Sequence, residues 1–104
     1  MIARLWHGWT TRENADAYEG LLRGRILPHI HDVQGHKGSY LLRRDSEKEV
    51  EFVTLTLWES MDAVRAFAGE DYEVAVVPPE ARKLLSRFDA RSVHYEMRLT
   101  PEAA

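Results

Sequence analysis

The sequence predicts an α+β domain with the split βαβ order of the ferredoxin-like fold, β-α-β-β-α-(α)-β, and a four-stranded antiparallel sheet. Two observations carry this prediction. Apolar side chains recur at intervals of two in some segments and of three or four in others, and glycine, proline or polar runs separate these segments. A chain of 104 residues suits a single domain, whose core we place at residues 2–98, with 99–104 as a frayed tail.

The first part of the chain predicts a strand followed by a helix. Residues 2–9 are rich in aromatic and β-branched side chains, which favour a strand. Thr10 and Glu13 have the spacing of a capping box, which marks the start of a helix. Pro28 is expected to end or kink that helix. The apolar side chains at helical spacing are Ala15, Tyr18, Leu21, Leu22 and Ile26.

The middle of the chain predicts a hairpin and a second helix. Residues 39–44 and 50–58 are strand-like, and the polar residues 45–49 between them are typical of a turn. Ser60 suits the N-cap of the next helix, and Gly69 suits its end.

The last part predicts a third helix and a final strand. A bent segment at Pro78 and Pro79 leads into the helix, and the alternating residues 91–98 form the strand. The helix is expected to contain Leu84, Leu85 and Phe88.

The first strand carries large side chains on both of its faces, which predicts a homodimer. Helices can cover one face of such a sheet, and an apolar second face needs a cover of its own. A second copy of the sheet would provide it. One face carries Ile2, Arg4 and Trp6, and the other carries Ala3, Leu5, His7 and Trp9.

Composition and charge exclude several classes of function. The absence of cysteine excludes disulfides, thiolate nucleophiles, iron–sulfur clusters and cysteine-based zinc sites. A net charge of -3 gives no general attraction to nucleic acid or to an anionic membrane surface. No apolar run approaches the roughly 20 residues that span a bilayer, and the N-terminus becomes polar too early for a signal peptide. We therefore expect a cytoplasmic protein.

The order of elements resembles the dimeric α+β barrel superfamily, and within it the antibiotic-biosynthesis-monooxygenase-like domains. The resemblance extends over roughly residues 2–98. It is carried by the passage 52–60 (FVTLTLWES) and by 88–89 (FD) and 93–96 (VHYE), together with Ala63, Phe67 and Gly69. It implies a dimer whose sheets face each other, with a pocket between the sheet and the helices of each subunit.

The same resemblance implies two kinds of chemistry. Some members of the family are oxygenases that need no cofactor and act on polycyclic aromatics or quinols, and others degrade haem. Haem-degrading members use an asparagine, a tryptophan and a histidine ligand, where this chain has His7, Phe67 and Val77. Because valine cannot ligate iron, haem degradation is disfavoured, and we expect neither a cofactor nor a metal.

The leading hypothesis is therefore a cofactor-independent monooxygenase-like protein that acts on a small aromatic or quinol-like compound. His7 alternates with Leu5 and Trp9, so we expect it to face the helices and to accept a proton from the substrate. A core histidine bonded by its neighbours is the alternative for this residue. The predicted pocket wall consists of Trp9, Trp58, Phe67 and Tyr72. For the whole protein, the alternative is a non-catalytic dimer that binds a small molecule or has a structural role.

The remaining histidines and arginines have alternative interpretations. His29, His31 and His36 have a spacing that suits a metal site, but solvated loop histidines are favoured. His94 and Glu96 share a strand face, as a polar pair at an edge or dimer interface would. Three arginines could hold an anionic substrate or pair with carboxylates: Arg4, Arg43 and Arg44.

Overall fold

The structure is a computed structural model that describes residues 1–103. Its strands are β1 (Ile2–Thr10), β2 (His36–Asp45), β3 (Val50–Trp58), β4 (Leu85–Phe88) and β5 (Val93–Glu96). Its α-helices are α1 (Ala15–Leu21), α2 (Leu27–His31), α3 (Met61–Ala68) and α4 (Pro79–Leu84). A π-helical turn, Leu22–Ile26, joins α1 to α2, and a 3₁₀ turn occupies Pro101–Ala103. No helix in the described part of the chain is long and apolar enough to cross a membrane.

All strands belong to one antiparallel sheet in the order β2-β3-β1, with β4 and β5 one after the other along the outer edge of β1. β4 pairs with one end of β1, where Gly8 faces Phe88. β5 pairs with the other end, where Ala3 faces Tyr95. The two short strands thus occupy the position of a single fourth strand, and the predicted α+β class with its ferredoxin-like order is confirmed.

The third helix is shorter than the sequence predicts. Leu85 and Phe88 lie in β4 and pair with β1, so their assignment to a helix is wrong. The backbone becomes extended at Leu85 (φ -84°, ψ 137°), because pairing with the open edge of β1 satisfies backbone groups that a helix would otherwise bond internally. The final strand is likewise confined to Val93–Glu96 rather than residues 91–98.

The first helical segment departs from prediction at both ends. Thr10 is not a helix cap: it ends β1, and its buried hydroxyl donates to the Leu84 carbonyl. The helix begins at Ala15 after a turn. Pro28 does not end the helical segment, which runs on to His31. Proline lacks an N–H and crowds the preceding turn, and the wide π-helical turn just before it is one way in which a helix accommodates such a disruption.

The second helix follows the prediction at both ends. The Ser60 hydroxyl accepts a hydrogen bond from the Ala63 amide at 3.2 Å, which caps α3. Gly69 ends α3 with φ 96°, a backbone conformation that favours glycine. The strand β3 also has the predicted bounds, 50–58.

Helices cover one face of the sheet and leave the other face exposed. The helix face packs against α1, α4 and the π-helical turn, and its Phe52 and Trp58 are fully buried. The open face has no helix over it, and four of its apolar side chains are about half exposed: Tyr40, Leu42, Val93 and Tyr95.

Candidate active site

A cleft lies among the helical segments that cover the helix face of the sheet. Its volume of about 370 Å³ falls within the usual range of small-molecule sites. Apolar side chains from the π-helical turn, α2, α3 and the segment before α4 form most of its wall. The lining residues are Arg25, Ile26, His29, Ile30, Phe67, Val76, Pro78 and Glu80.

The cleft continues toward the sheet as a small inner pocket. This pocket, of about 50 Å³, shares Ile30, Phe67 and Val76 with the outer cleft. Its remaining wall consists of sheet residues and one loop serine: Arg4, Trp6, Thr54, Thr56 and Ser92. Half of the residues that line the inner end are therefore polar, while the passage leading to it is mainly apolar.

Two aromatic rings in the wall are held in fixed orientations. The Trp6 indole donates to the Asp89 carbonyl at 2.7 Å. The Phe67 ring stacks on Trp58 at 4.9 Å between centroids, and the Trp58 indole donates to the Thr56 hydroxyl at 2.8 Å. Flat, pre-oriented rings of this kind suit a planar aromatic ligand.

Arg4 brings a positive charge to the inner pocket. Its guanidinium donates to the Tyr72 carbonyl at 2.6 Å and to the Val74 carbonyl at 3.4 Å. It also contacts His94 Nε2 at 2.9 Å and lies 5.8 Å from the centre of the Phe67 ring. Burial lowers the pKa of Arg4 below its usual value, because a low-dielectric environment disfavours the charged form.

His94 is a neutral partner of this arginine. Since the guanidinium can only donate, His94 Nε2 accepts, and the ring proton is on Nδ1. Burial, and then the nearby charge of Arg4, lower the pKa of His94. Its Nδ1 is buried and has no hydrogen-bond partner in the described part of the chain. His94 is thus a poor proton acceptor as long as Arg4 occupies Nε2.

The mouth of the cleft carries the other ionisable groups. Arg25 and His29 extend from the π-helical turn and α2, and Glu80 extends from the first turn of α4. All three residues are exposed. His29 is the imidazole that lines the cleft, so it is the side chain best placed to pass a proton between a bound molecule and solvent.

His7 does not face this cleft, and the expectation that it points toward the helices is wrong. It lies on the open face, where its Nδ1 is 2.7 Å from a carboxylate oxygen of Glu51. Its ring also stacks against Trp9 at 5.8 Å. The alternation within β1 was assigned to the wrong sides of the sheet, because a strand period of two separates the faces without saying which one the helices cover.

The predicted wall residues are divided among three places. Phe67 lines the cleft, and Trp58 lies directly behind it. Tyr72 offers its carbonyl to Arg4 and packs its ring edge against His94 at 5.2 Å, outside the cleft lining. Trp9 lies on the open face with the Arg87 guanidinium 3.9 Å from its ring centre. The structure therefore brings Phe67 and Trp58 together, places Tyr72 beside Arg4 and His94, and leaves Trp9 apart.

The three histidines near the end of the first helical segment do not form a metal site. His29 lines the cleft, whereas His31 and His36 meet edge to face on its outer side, 5.8 Å apart. Within residues 1–103, no group of three histidine or carboxylate side chains is arranged to hold a metal ion. His36 bonds to the Ser39 hydroxyl at 2.8 Å, and burial lowers its pKa.

The other polar residues considered have structural contacts within the chain. Arg43 pairs with Asp16, Glu19 and Asp45 and so ties β2 to α1. Arg44 pairs with Glu51 at 3.0 Å. Of the three arginines that could hold an anion, Arg4 is therefore the one without a carboxylate partner in the described residues.

Sequence reasoning missed Trp6, Thr54 and Thr56 as cleft residues. One signal could have identified their face: Gly8 shares it with Trp6. A Cβ at Gly8 would lie 3.0 Å from the Trp6 ring and 3.2 Å from Leu85, and glycine within a strand often marks such a close approach. The close packing at Gly8 thus identifies its face of β1 as the one that the helices cover.

The model of the antibiotic biosynthesis monooxygenase family matches residues 1–89. The chain belongs to this family. Membership supports a monooxygenase-like role, in agreement with a cleft lined by fixed aromatic rings. No curated protein matches the chain.

Solved structures of low sequence identity share the fold. A Bacillus cereus protein provisionally assigned as an antibiotic biosynthesis monooxygenase superimposes with a TM-score of 0.67 at 14% identity, covering 96% of this chain and 94% of that one. SnoaB, a cofactor-independent oxygenase from Streptomyces nogalater, gives 0.62 at 18% identity and covers 96% of each chain. The ActVA-Orf6 monooxygenase of Streptomyces coelicolor, solved with nanaomycin D, gives 0.60 at 16% identity, covering 95% and 88%.

Proposed function

We propose that this protein is a monooxygenase that oxidises a small phenolic or quinol-like compound in the cleft without a bound cofactor. The observation that carries the proposal is the cleft itself, with apolar walls, two fixed aromatic rings and a polar inner end. SnoaB, which shares the fold, is described as a cofactor-independent oxygenase, and this provides the precedent for the reaction class.

The chemistry requires the substrate to become an electron-rich anion. A phenol that loses its proton can transfer electrons to O₂ and form a carbon–oxygen bond with it. One oxygen atom then remains as the new quinone carbonyl, and the other leaves as water with two hydrogens from the substrate. Phenol plus O₂ gives quinone plus water, so the substrate supplies all the electrons.

The residues of the cleft have separate tasks in this proposal. Trp6 and Phe67 hold the ring, and their apolar surroundings exclude water from the reacting carbon. Arg4 favours the anionic form of the bound molecule. His29, at the mouth, accepts the proton of a hydroxyl group at the outer end of the ring and releases it to solvent.

We also propose that the working form is a homodimer joined through the open faces of two sheets. Tyr40, Leu42, Val93 and Tyr95 are each 50% exposed or more in the single chain. A contiguous apolar surface of this kind on a small domain is typical of an association surface. The proposed interface leaves the cleft free, because the cleft opens on the opposite side of the sheet.

Oxygen uptake tests the proposed reaction. A panel of hydroquinones and naphthols is supplied to the parent protein and to Val76→Trp, in which the larger side chain fills the cleft. Val74→Trp is the matched control, because Val74 is similarly exposed (45% against 49%) but does not line the cleft. We expect uptake with one quinone formed per O₂ in the parent and the control, and at least about 10-fold less in Val76→Trp.

Equal uptake in both tryptophan variants would place the reaction outside the cleft and contradict the proposal. Tight binding of a panel compound to the cleft without any oxygen uptake would favour the alternative, a non-catalytic binding protein. Light scattering near 12 kDa at micromolar concentration, the mass of one chain, would contradict the dimer.

A further inference from the structure

Arg4 is a buried cation for which the described chain supplies no anion. The residue is 5% exposed. Its three polar partners are two backbone carbonyls and the neutral ring of His94. None of the ion pairs among the described side chains includes it. A buried charge is normally paired, because burial without a counter-charge is costly.

The guanidinium is also placed where a ligand could reach it. Arg4 forms part of the wall of the inner pocket, and its guanidinium lies 5.8 Å from the centre of the Phe67 ring, which lines the same pocket. A guanidinium has five N–H donors, and the three observed contacts leave two of them for a ligand. Thr54 and Thr56 add hydroxyl groups to the same wall. The polar groups therefore converge on one end of a mainly apolar cleft.

The charge of the rest of the molecule does not favour anions. The net charge of the chain is -3, and the cleft mouth carries Glu80 as well as Arg25. Any preference for an anionic ligand over a neutral one of the same shape must therefore come from a local group. Arg4 is the cation at the inner end of the cleft.

We propose that Arg4 binds an anionic oxygen of the substrate, so that the cleft selects aromatic molecules carrying a carboxylate or an ionised phenol. The planar guanidinium pairs well with a carboxylate, to which it can donate two parallel hydrogen bonds. The aromatic body of the ligand would then lie between the inner pocket and the mouth. This inference rests on the proposed function only in taking the cleft as the substrate site.

A purely structural role for Arg4 makes a different prediction. Its bonds to the Tyr72 and Val74 carbonyls hold the segment between α3 and α4, so its removal should weaken that segment. Such a role would not make the binding of a carboxylate differ from that of its neutral amide. The comparison of two ligands of the same shape therefore separates recognition from structure.

The experiment measures the affinities of 2-naphthoate, 2-naphthamide and 2-naphthol by calorimetry at pH 7 for the parent, Arg4→Gln and Arg25→Gln. We expect the parent to bind 2-naphthoate at least about 10-fold more tightly than 2-naphthamide, the scale of a charge-assisted hydrogen bond. Arg4→Gln should reduce this ratio to about one, while Arg25→Gln, at the mouth, should retain it. The affinity for 2-naphthol at rising pH distinguishes an ionised phenol from a carboxylate as the preferred anion.

A ratio near one in the parent, or a ratio that persists in Arg4→Gln, would overturn the inference. If Arg4→Gln does not fold, Arg4→Lys keeps the charge, and the Trp6 indole N–H resonance of the parent provides a second measurement. That resonance should move more with 2-naphthoate than with 2-naphthamide, and equal movement would also overturn the inference. A carboxylate preference without oxygen uptake from any phenol would contradict the proposed reaction and leave this inference standing.

Discussion

Each face of the sheet in this protein carries side chains whose polarity does not match its cover. The helix face is covered, yet it carries the polar groups Arg4, Thr54 and Thr56 beside the cleft. The open face is uncovered, yet its centre is apolar and includes Leu5 and Leu55, which pair across the strands. An ordinary half-exposed sheet has an apolar covered side and a polar free side, and this helix face departs from it only beside the cleft, since it also contains the buried Phe52 and Trp58.

This difference indicates what each face contacts. The buried Arg4 guanidinium has hydrogen-bond partners but no counter-charge in the described residues, and since a buried charge is costly without one, its presence agrees with a ligand site. Apolar groups on a free surface are costly in water, so their presence agrees with a second protein surface. His7 and Glu51 pair at one end of the open face. The apolar surface of that face ends at this pair.

The largest expected effect compares a tryptophan on each face. Trp58 is fully buried on the helix face, and Trp58→Ala should cost about 3–5 kcal/mol of unfolding free energy because it empties a core site. Trp9→Ala, on the half-buried open face, should cost about half as much. Chemical denaturation followed by circular dichroism measures both, and equal losses would contradict the difference between the faces.

A charge on the open face should break the proposed dimer. Leu55→Arg places a cation in the centre of that surface, and we expect it to weaken association by about 2–4 kcal/mol, the usual cost of an unpaired buried charge. Val74→Arg, on an exposed loop, is the control. Analytical ultracentrifugation over a range of concentrations gives both dissociation constants, and an unchanged constant in Leu55→Arg would place the interface elsewhere.

The two histidine positions should differ in their effect on turnover. His29 lines the cleft, and His29→Ala should lower kcat by about 10²-fold with any phenol that the parent oxidises, because proton transfer contributes on that scale. His7→Ala should leave kcat close to that of the parent, since His7 lies on the other face. Initial rates of oxygen uptake measure kcat for both variants. A loss of kcat confined to His7→Ala would favour His7 as the proton acceptor.

The smallest expected effect concerns acid stability. The pKa of His94 is lowered in the folded chain by burial, so the unfolded chain takes up this proton at a higher pH than the folded one. The contribution of neutral His94 is therefore complete above the unfolded histidine pKa, about 6.5, and is lost as the pH falls from there to the folded pKa.

Unfolding free energies between pH 7.5 and 5 provide the measurement. His94→Gln should show a shallower decline than the parent over this range. A decline as steep in His94→Gln as in the parent would assign the effect to other groups, of which His36, whose pKa is also lowered, is the first to examine.

Much of the fold could be predicted because local chemistry determines it. The bounds of β3 follow from nine residues of strand-forming character, and Ser60 and Gly69 mark the ends of α3 by side-chain and backbone chemistry. Leu85 could not be placed, because pairing with a distant strand overrides its helical spacing. The alternation along β3 likewise does not show which of its two sides the helices cover.

The candidate site was predicted only in part, for a related reason. Phe67 could be predicted because apolar residues at helical spacing form a stripe on one side of a helix, and that side packs on the core. The assignments of His7 and Trp9 were wrong about the covered side, because alternation cannot distinguish the two sides of a sheet. The sequence identifies Arg4 as a residue that could hold an anion, but only the structure shows that it has no carboxylate partner among the described residues.

The division of the fourth strand into β4 and β5 affects how copies of this protein can meet. An exposed strand edge can pair with a strand of another molecule and lead to open-ended aggregates. Here the two strands at the β1 edge of the sheet are only 4 residues long each, and a break separates them, whereas the opposite edge is the 10-residue strand β2. The edge formed by β4 and β5 is thus a poor template for further strands, and pairing through a strand edge would have to use β2.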